Sequence, residues 1–183
     1  VAVGSFDSTV DFDRGPNSEA LTANDLNDVF VLSLTPSGAY RWVSQFAGSG
    51  YQYPRDAAVG PDGSIAITGS FYLTVDFDPG PGQFLLTSTP GLTSAFIVKL
   101  DASGSLVWAG NLDGSAQFGE AIAVDATGAI YASGVASGTT DFAFGPTVAS
   151  KSFSGSRTYL AKYDASGVHQ WARTFSKNDS IHG

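Results

Sequence analysis

The chain has no cysteine, two histidines and, among its acids, only two glutamates, Glu19 and Glu120. Without cysteine there is no disulfide, no thiolate metal site and no cysteine nucleophile, and the compartment is left open. Two histidines and two glutamates leave little beyond aspartate for acid–base chemistry, and no Gly-x-Ser-x-Gly nucleophile element occurs. No apolar run approaches the ~20 residues of a membrane helix, so no membrane span is expected. Basic residues are also scarce: 9 lysines and arginines face 17 acids, for a net charge of -8. Such a field repels a phosphate backbone, which argues against nucleic-acid binding and leaves cations as the better-matched partners. No signal peptide is visible and the first residue is Val1, so a processed protein or a fragment is expected.

What is present is a packed, repetitive chain of 183 residues, 43% hydrophobic and 13% aromatic. Gly4-Ser5-Phe6 returns as Gly69-Ser70-Phe71, and the same slot then reads Gly134-Val135-Ala136. Val10-Asp11-Phe12-Asp13 returns as Val75-Asp76-Phe77-Asp78 and as Thr140-Asp141-Phe142-Ala143. All of these offsets are 65 residues. Between Gly4 and Pro16 the first two copies agree at ten of thirteen positions. Phe30–Leu34 matches Phe96–Leu100 and Tyr159–Tyr163, and Trp42, Trp108 and Trp171 follow in register. A period of this length marks a repeat architecture.

Each complete copy carries four strand signals, shown in the third by Ala121–Val124, Ile130–Ser133, Tyr159–Tyr163 and His169–Thr174. Five tight turns share one chemistry: Thr35–Gly38, Gly60–Gly63, Asp101–Gly104, Asp125–Gly128 and Asp164–Gly167 all end on glycine. That residue accepts the positive φ of a type I turn closing with a bulge. No stretch keeps a helical apolar period for three turns, so the chain is expected to be all-β.

The first two strands of each copy carry small residues such as Ala57, Ala58, Ala121 and Ala123, and the last two carry Phe, Tyr, Leu and Trp. Radial repetition predicts that gradient, because inner strands crowd an axis while outer strands have faces to fill; a stacked solenoid would be more uniform. The expected fold is β-propeller-like, with three four-stranded blade repeats of about 65 residues. The boundaries fall at 1–55 (lacking its first strand), 56–120 and 121–183, together one domain fragment. Three blades are fewer than the four to eight of a closed ring. Other blades of a longer parent chain, or copies of this chain in an oligomeric ring, are the expected partners. The segment between the second and third strands is long, and Thr74–Phe77 with Phe84–Thr87 is expected to form a small hairpin leaning on its own blade.

The segments Ala121–Asp125 and Ala95–Gly104 and the Asp76-Phe77 element resemble bacterial SBBP-type β-propeller repeats over essentially the whole chain. The resemblance implies an extracellular or cell-surface setting and a longer parent protein, and transfers no catalytic residue.

The candidate site residues are the paired aspartates Asp11/Asp13 and Asp76/Asp78, with Asp141 alone in the third copy. Alternate strand residues share a face about 6.6 Å apart, so two carboxylates there suit calcium. The competing role is capping of the adjoining Gly- and Pro-rich turns through local hydrogen bonds. The tryptophans, fixed in the fourth strand of every copy, are expected to pack rather than bind sugar. His169, in the slot of Tyr40 and Leu106, reads as a half-exposed strand residue, and the Asn178-Asp179-Ser180 sequon is too short a match to carry weight. The functional expectation is a non-enzymatic extracellular structural, adhesive or interaction scaffold, with calcium as a stabiliser. Alternatives are a calcium-assisted glycan-binding propeller whose partner is a cell-surface glycan or protein, and a non-catalytic part of a larger secreted hydrolase.

Overall fold

The computed structural model describes residues 1–176; the sequon and His182 lie outside them. Among the described residues there is no helix. The first unit contributes β1 (Ala2–Phe6), the short strands β2 (Thr9–Asp11) and β3 (Ala20–Thr22), then β4 (Asp28–Leu34) and β5 (Tyr40–Gly48). The second has β6 (Gln52–Val59), β7 (Ile65–Phe71), β8 (Thr74–Asp76), β9 (Leu85–Thr87), β10 (Ser94–Leu100) and β11 (Leu106–Asn111). The third has β12 (Asp113–Val124), β13 (Ile130–Asp141), β14 (Ser150–Tyr163) and β15 (His169–Phe175). Its strands are longer than their sequence signals because β13 and β14 continue into the insertion and pair there, Asp141 opposite Ser150.

The second and third units form four-stranded antiparallel sheets, ordered β6-β7-β10-β11 and β12-β13-β14-β15. Among the described residues none of the sheets is closed. The turns are as the sequence requires: Gly38, Gly63, Gly104, Gly128 and Gly167 have φ between 80° and 89°. In three of them the leading aspartate holds the loop. Asp125 Oδ1 accepts from Thr127 N (2.8 Å), Thr127 Oγ1 (2.6 Å) and Ala129 N (3.1 Å), and Asp101 and Asp164 repeat the pattern on Ser103/Ser105 and Ser166/Val168.

The hydrophobic core lies between sheets. One cluster joins Val29, Val31 and Phe46 of the first unit to Ile65, Ile67, Phe71, Phe77, Phe96, Val98 and Leu100 of the second. The other joins Ala66, Ala95, Ile97 and Leu112 of the second to Ile122, Ile130, Phe142, Tyr159 and Tyr163 of the third. Strand β10 is buried on both faces, because alternate residues serve different clusters. Burying a Phe or Leu side chain in this way stabilises by about 1.5–3 kcal/mol.

The tryptophans latch neighbouring units together. Trp42 Nε1 donates to the Ala102 carbonyl and Trp108 Nε1 to the Ala165 carbonyl, both at 3.2 Å. Each acceptor lies in the turn that joins the last two strands of the adjacent unit. Each indole lies over that turn's last glycine. A Cβ on Gly104 would come within 2.9 Å of the Trp42 ring, and one on Gly167 within 2.8 Å of Trp108.

The insertion hairpins form, but with a different host. β8 pairs with β9 as expected, yet β8 also pairs with β5, Ala47 opposite Asp76 and Gly48 opposite Val75. The hairpin of the second unit therefore extends the first unit's sheet, in the order β1-β4-β5-β8-β9. Asp113 opposite Asp141 and Gly114 opposite Thr140 repeat this, because the start of β12 continues the second unit's last strand, as Ala47 and Gly48 continue the first unit's. An unpaired strand edge beside an exposed hairpin is satisfied by the nearest open partner, which belongs to the preceding sheet.

The turns can be tested in two ways. Gly104→Ala meets both the positive φ and the Trp42 ring, and should lower stability by about 1–3 kcal/mol in chemical denaturation, with the denaturant slope unchanged. The Thr127 hydroxyl, then the Thr127 and Ala129 amides, hold the Asp125 carboxyl down to about 2, and serine hydroxyls lower Asp101 and Asp164 in the same way. Because these folded-state values lie below the ordinary 3.8, the stabilisation is complete above it and is lost as pH falls toward 2. Thermal midpoints should drop across that window, and Asp125→Asn should flatten the slope.

Candidate interaction surfaces

The paired aspartates sit at the open ends of the insertion hairpins. Asp11 Oδ1 accepts from the backbone N–H of Asp13 (3.1 Å) and of Glu19 (2.9 Å), so one carboxylate bridges both arms. Asp76 does the same with Asp78 (3.0 Å) and Phe84 (2.8 Å), and Asp141 with Ala143 (3.1 Å) and Ala149 (2.8 Å). The second aspartate acts more locally. Asp13 Oδ1 accepts Gly15 N–H and Asp78 Oδ1 accepts Gly80 N–H, each at 2.8 Å. That division explains the third copy, which keeps the arm-bridging Asp141 and replaces only the local cap, by Ala143. The Glu19 amide above all lowers the Asp11 carboxyl.

After the first acid stands a phenylalanine: the second and third hairpins deliver Phe77 and Phe142 to the two cores, while Phe12 stays half-buried against Phe6 and Phe30. Phe77 packs 5.1–5.4 Å from Phe46, Phe71 and Phe96, and Phe142 lies 5.5 Å from Tyr159. A hydroxyl pair spans each hairpin: Thr9–Thr22, Thr74–Thr87 and Thr139–Ser152, at 2.7–2.9 Å. Among the described residues no three or more His, Asp or Glu side chains gather as metal ligands. The arrangement is one of hairpin closure around an aromatic plug.

A surface that sequence reasoning misses lies at the start of the second unit, between the first unit on one side and the third on the other. Tyr51 and Tyr53, two residues apart, stand 48% and 47% exposed with rings parallel within 9° and 5.9 Å between centroids. Beside them opens a cleft of about 290 Å³ lined by Arg55, Tyr72, Thr93 and Phe118. On their other side a second cleft of about 370 Å³ is lined by Phe6, Asp7, Leu26 and Asn27. The two clefts are equivalent in the repeat: Ser5 and Phe6 match Ser70 and Phe71, and Tyr53 matches Phe118. The signal that could have found this surface is a departure from the repeat. Tyr51 and Arg55 correspond to Ala116 and Glu120, so one copy carries an aromatic and a cation where the next has neither.

This surface rests on a buried polar anchor. Asp28, fully buried, receives Gln45 Nε2 (2.6 Å), Asn24 N (3.0 Å), Gln52 Nε2 (3.1 Å) and Gly48 N (3.2 Å). Asn27 Oδ1 accepts from Gln52 N and its Nδ2 donates to Gln52 O. Gln52, between the two tyrosines, is thereby fixed while its neighbours project outward. His169, half-buried, packs edge-on to Tyr163, and burial lowers its imidazole below the ordinary value.

Substitution separates the two acids of a pair: Asp76→Ala should lower the thermal midpoint clearly more than Asp78→Ala, since it frees two backbone donors on opposite arms rather than one. A calcium-dependent rise of the wild-type midpoint, reversed by chelator, would assign the aspartates a metal in addition to these hydrogen bonds, and superimposed melts would leave them the hydrogen bonds alone.

No protein-family profile matches the chain. Among curated proteins it is similar to an uncharacterized WD repeat-containing protein of Acanthamoeba polyphaga mimivirus, 26% identical over 193 aligned residues. The match covers 83% of this chain and 13% of that protein, so the chain spans a small part of its relative. The all-β sheets, the internal repeat and this WD-repeat relative agree on a β-propeller type of repeat architecture.

Proposed function

We propose that the chain is a non-enzymatic interaction scaffold whose repeated sheets hold the Tyr51–Tyr53 plate and its two clefts toward a protein partner. The observation that carries this reading is the plate itself: two half-exposed, parallel tyrosines at the start of β6, anchored from below, at a place where the repeat is broken. Architecture alone repeats its residues in register, whereas a contact surface has reason to depart from it. Tyrosine supplies broad amphipathic area at low entropic cost, which suits recognition. The WD-repeat relative supports a scaffold built from repeats. The resemblance to secreted bacterial repeats supports an extracellular, surface-exposed setting.

A cell-surface glycan is the second reading. Flat aromatic faces beside Arg55 on one side and Asp7 and Asn27 on the other suit the apolar face and the hydroxyls of a sugar.

Selection of a displayed peptide library on the folded chain, run beside a glycan array, tests both. Tyr51→Ala and Tyr53→Ala are expected to weaken the selected ligand at least roughly tenfold, as removal of a central aromatic anchor does. Binding that survives both substitutions would place recognition elsewhere and refute the plate as the site.

A further inference from the structure

Around the cleft beside the tyrosine plate, four departures from the repeat converge. Tyr51, Arg55, Tyr72 and Leu73 stand where the next copy has Ala116, Glu120, Ser137 and Gly138. The walls of this cleft come from the start of β6, the end of β7 and β12, all internal to the array.

Leu73 is the most unusual of the four. It holds a φ of 68°, the one positive φ outside glycine among the described residues. That conformation strains a bulky side chain, and the third copy meets it with Gly138, at a φ of 63°. Both main-chain groups of Leu73 are held in place: its N–H donates to Ser88 Oγ and its carbonyl accepts from the Ser88 N–H, each at 2.9 Å. The side chain nevertheless stands 43% exposed. A Cβ on Gly50, next to Tyr51, would come within 3.3 Å of the Leu73 Cβ, so the leucine extends the plate. Strain maintained to present an exposed apolar group adds little to packing and fits recognition.

Arg55 supplies the charge. It is exposed, and among the described residues it has no hydrogen bond or ion pair. The adjacent Asp56 does not serve it: Oδ1 accepts from the Ala57 N–H and Oδ2 from the Ile122 N–H, both at 2.9 Å. The guanidinium thus lines an aromatic cleft with its donors free. A planar fork of this kind pairs with a carboxylate, and the net charge of -8 disfavours a more highly charged phosphate.

The remaining lining suits a peptide. The hydroxyls of Ser70 and Thr93 have no partner among the described residues and can donate to main-chain carbonyls. An aliphatic Leu73 offers nothing to sugar hydroxyls and favours an apolar side chain instead. Resting on the reading of the plate as a contact surface, we infer that its occupant is an extended peptide segment with an acidic residue close to an apolar one. The carboxylate pairs with Arg55, and the apolar side chain lies against the tyrosines and Leu73.

Selection of a random displayed-peptide library on wild type and on Arg55→Glu tests the charge. The variant should fold as wild type does by circular dichroism, since Arg55 is exposed and the next copy carries glutamate there. The wild-type pool should be enriched in Asp or Glu beside an apolar residue, and Arg55→Glu should exchange that acid for Lys or Arg. A selected wild-type peptide should bind Leu73→Asn roughly tenfold more weakly. The thermal midpoint of that variant should stay at or above wild type, because asparagine tolerates the left-handed φ. A pool that needs Tyr51 yet shows no acid, or keeps the same acid on Arg55→Glu, overturns this inference and leaves the plate as a contact surface. Equal affinity for Leu73→Asn overturns the apolar half of the contact. Glycans binding where no peptide does overturns the peptide as occupant, and a pool indifferent to both Tyr51→Ala and Tyr53→Ala overturns the plate and its occupant together.

Discussion

Stability in this molecule is a property of pairs of sheets. Neither cluster of buried side chains belongs to one unit: Val31 shares one with Phe96 and Leu100, and Ile97 shares the other with Tyr159 and Ile122. A lone four-stranded sheet of this composition would leave an apolar face in water, and only stacking against a neighbour removes it. The tryptophan latch and the insertion hairpins both act at that same junction. Each adds direction to a contact that hydrophobic burial alone would leave free to slide.

The most legible features are those set by local chemistry. A glycine after an oxygen-bearing residue demands a left-handed φ, and all five such turns have it. Strand count and antiparallel order follow from the turns, and the Tyr159–Tyr163 alternation marks the buried face. The tryptophans are expected to pack, and Trp42 and Trp108 do so between units. Features that depend on which neighbour lies closest in space are not legible in this way. Thr74–Asp76 reads as half of a hairpin, but β-pairing is non-local, and nothing in those residues says that Ala47 and Gly48 are the open edge beside them.

The candidate site divides along the same line. The aspartates of the insertions stand out because they recur, and recurrence tracks structure: Asp11, Asp76 and Asp141 each tie two arms of a hairpin, and Asp13 and Asp78 cap the glycine turns next to them. Tyr51 and Tyr53 are easily passed over for the converse reason. They occur once, and exposure cannot be read from a Tyr-Gln-Tyr alternation without knowing that Asp28 and Asn27 pin the glutamine inward.

The hairpin that each unit lends to the sheet before it offsets the structural period from the sequence period. During synthesis the first sheet is finished only when Thr74 to Thr87 have left the ribosome, well after its own last strand has emerged. A truncation placed at a sequence boundary thus strips edge strands from the unit it was meant to spare. Cooperativity along the array is consequently enforced by main-chain hydrogen bonds as well as by side-chain packing, and expression boundaries drawn after residue 87 should behave better than those drawn at 55.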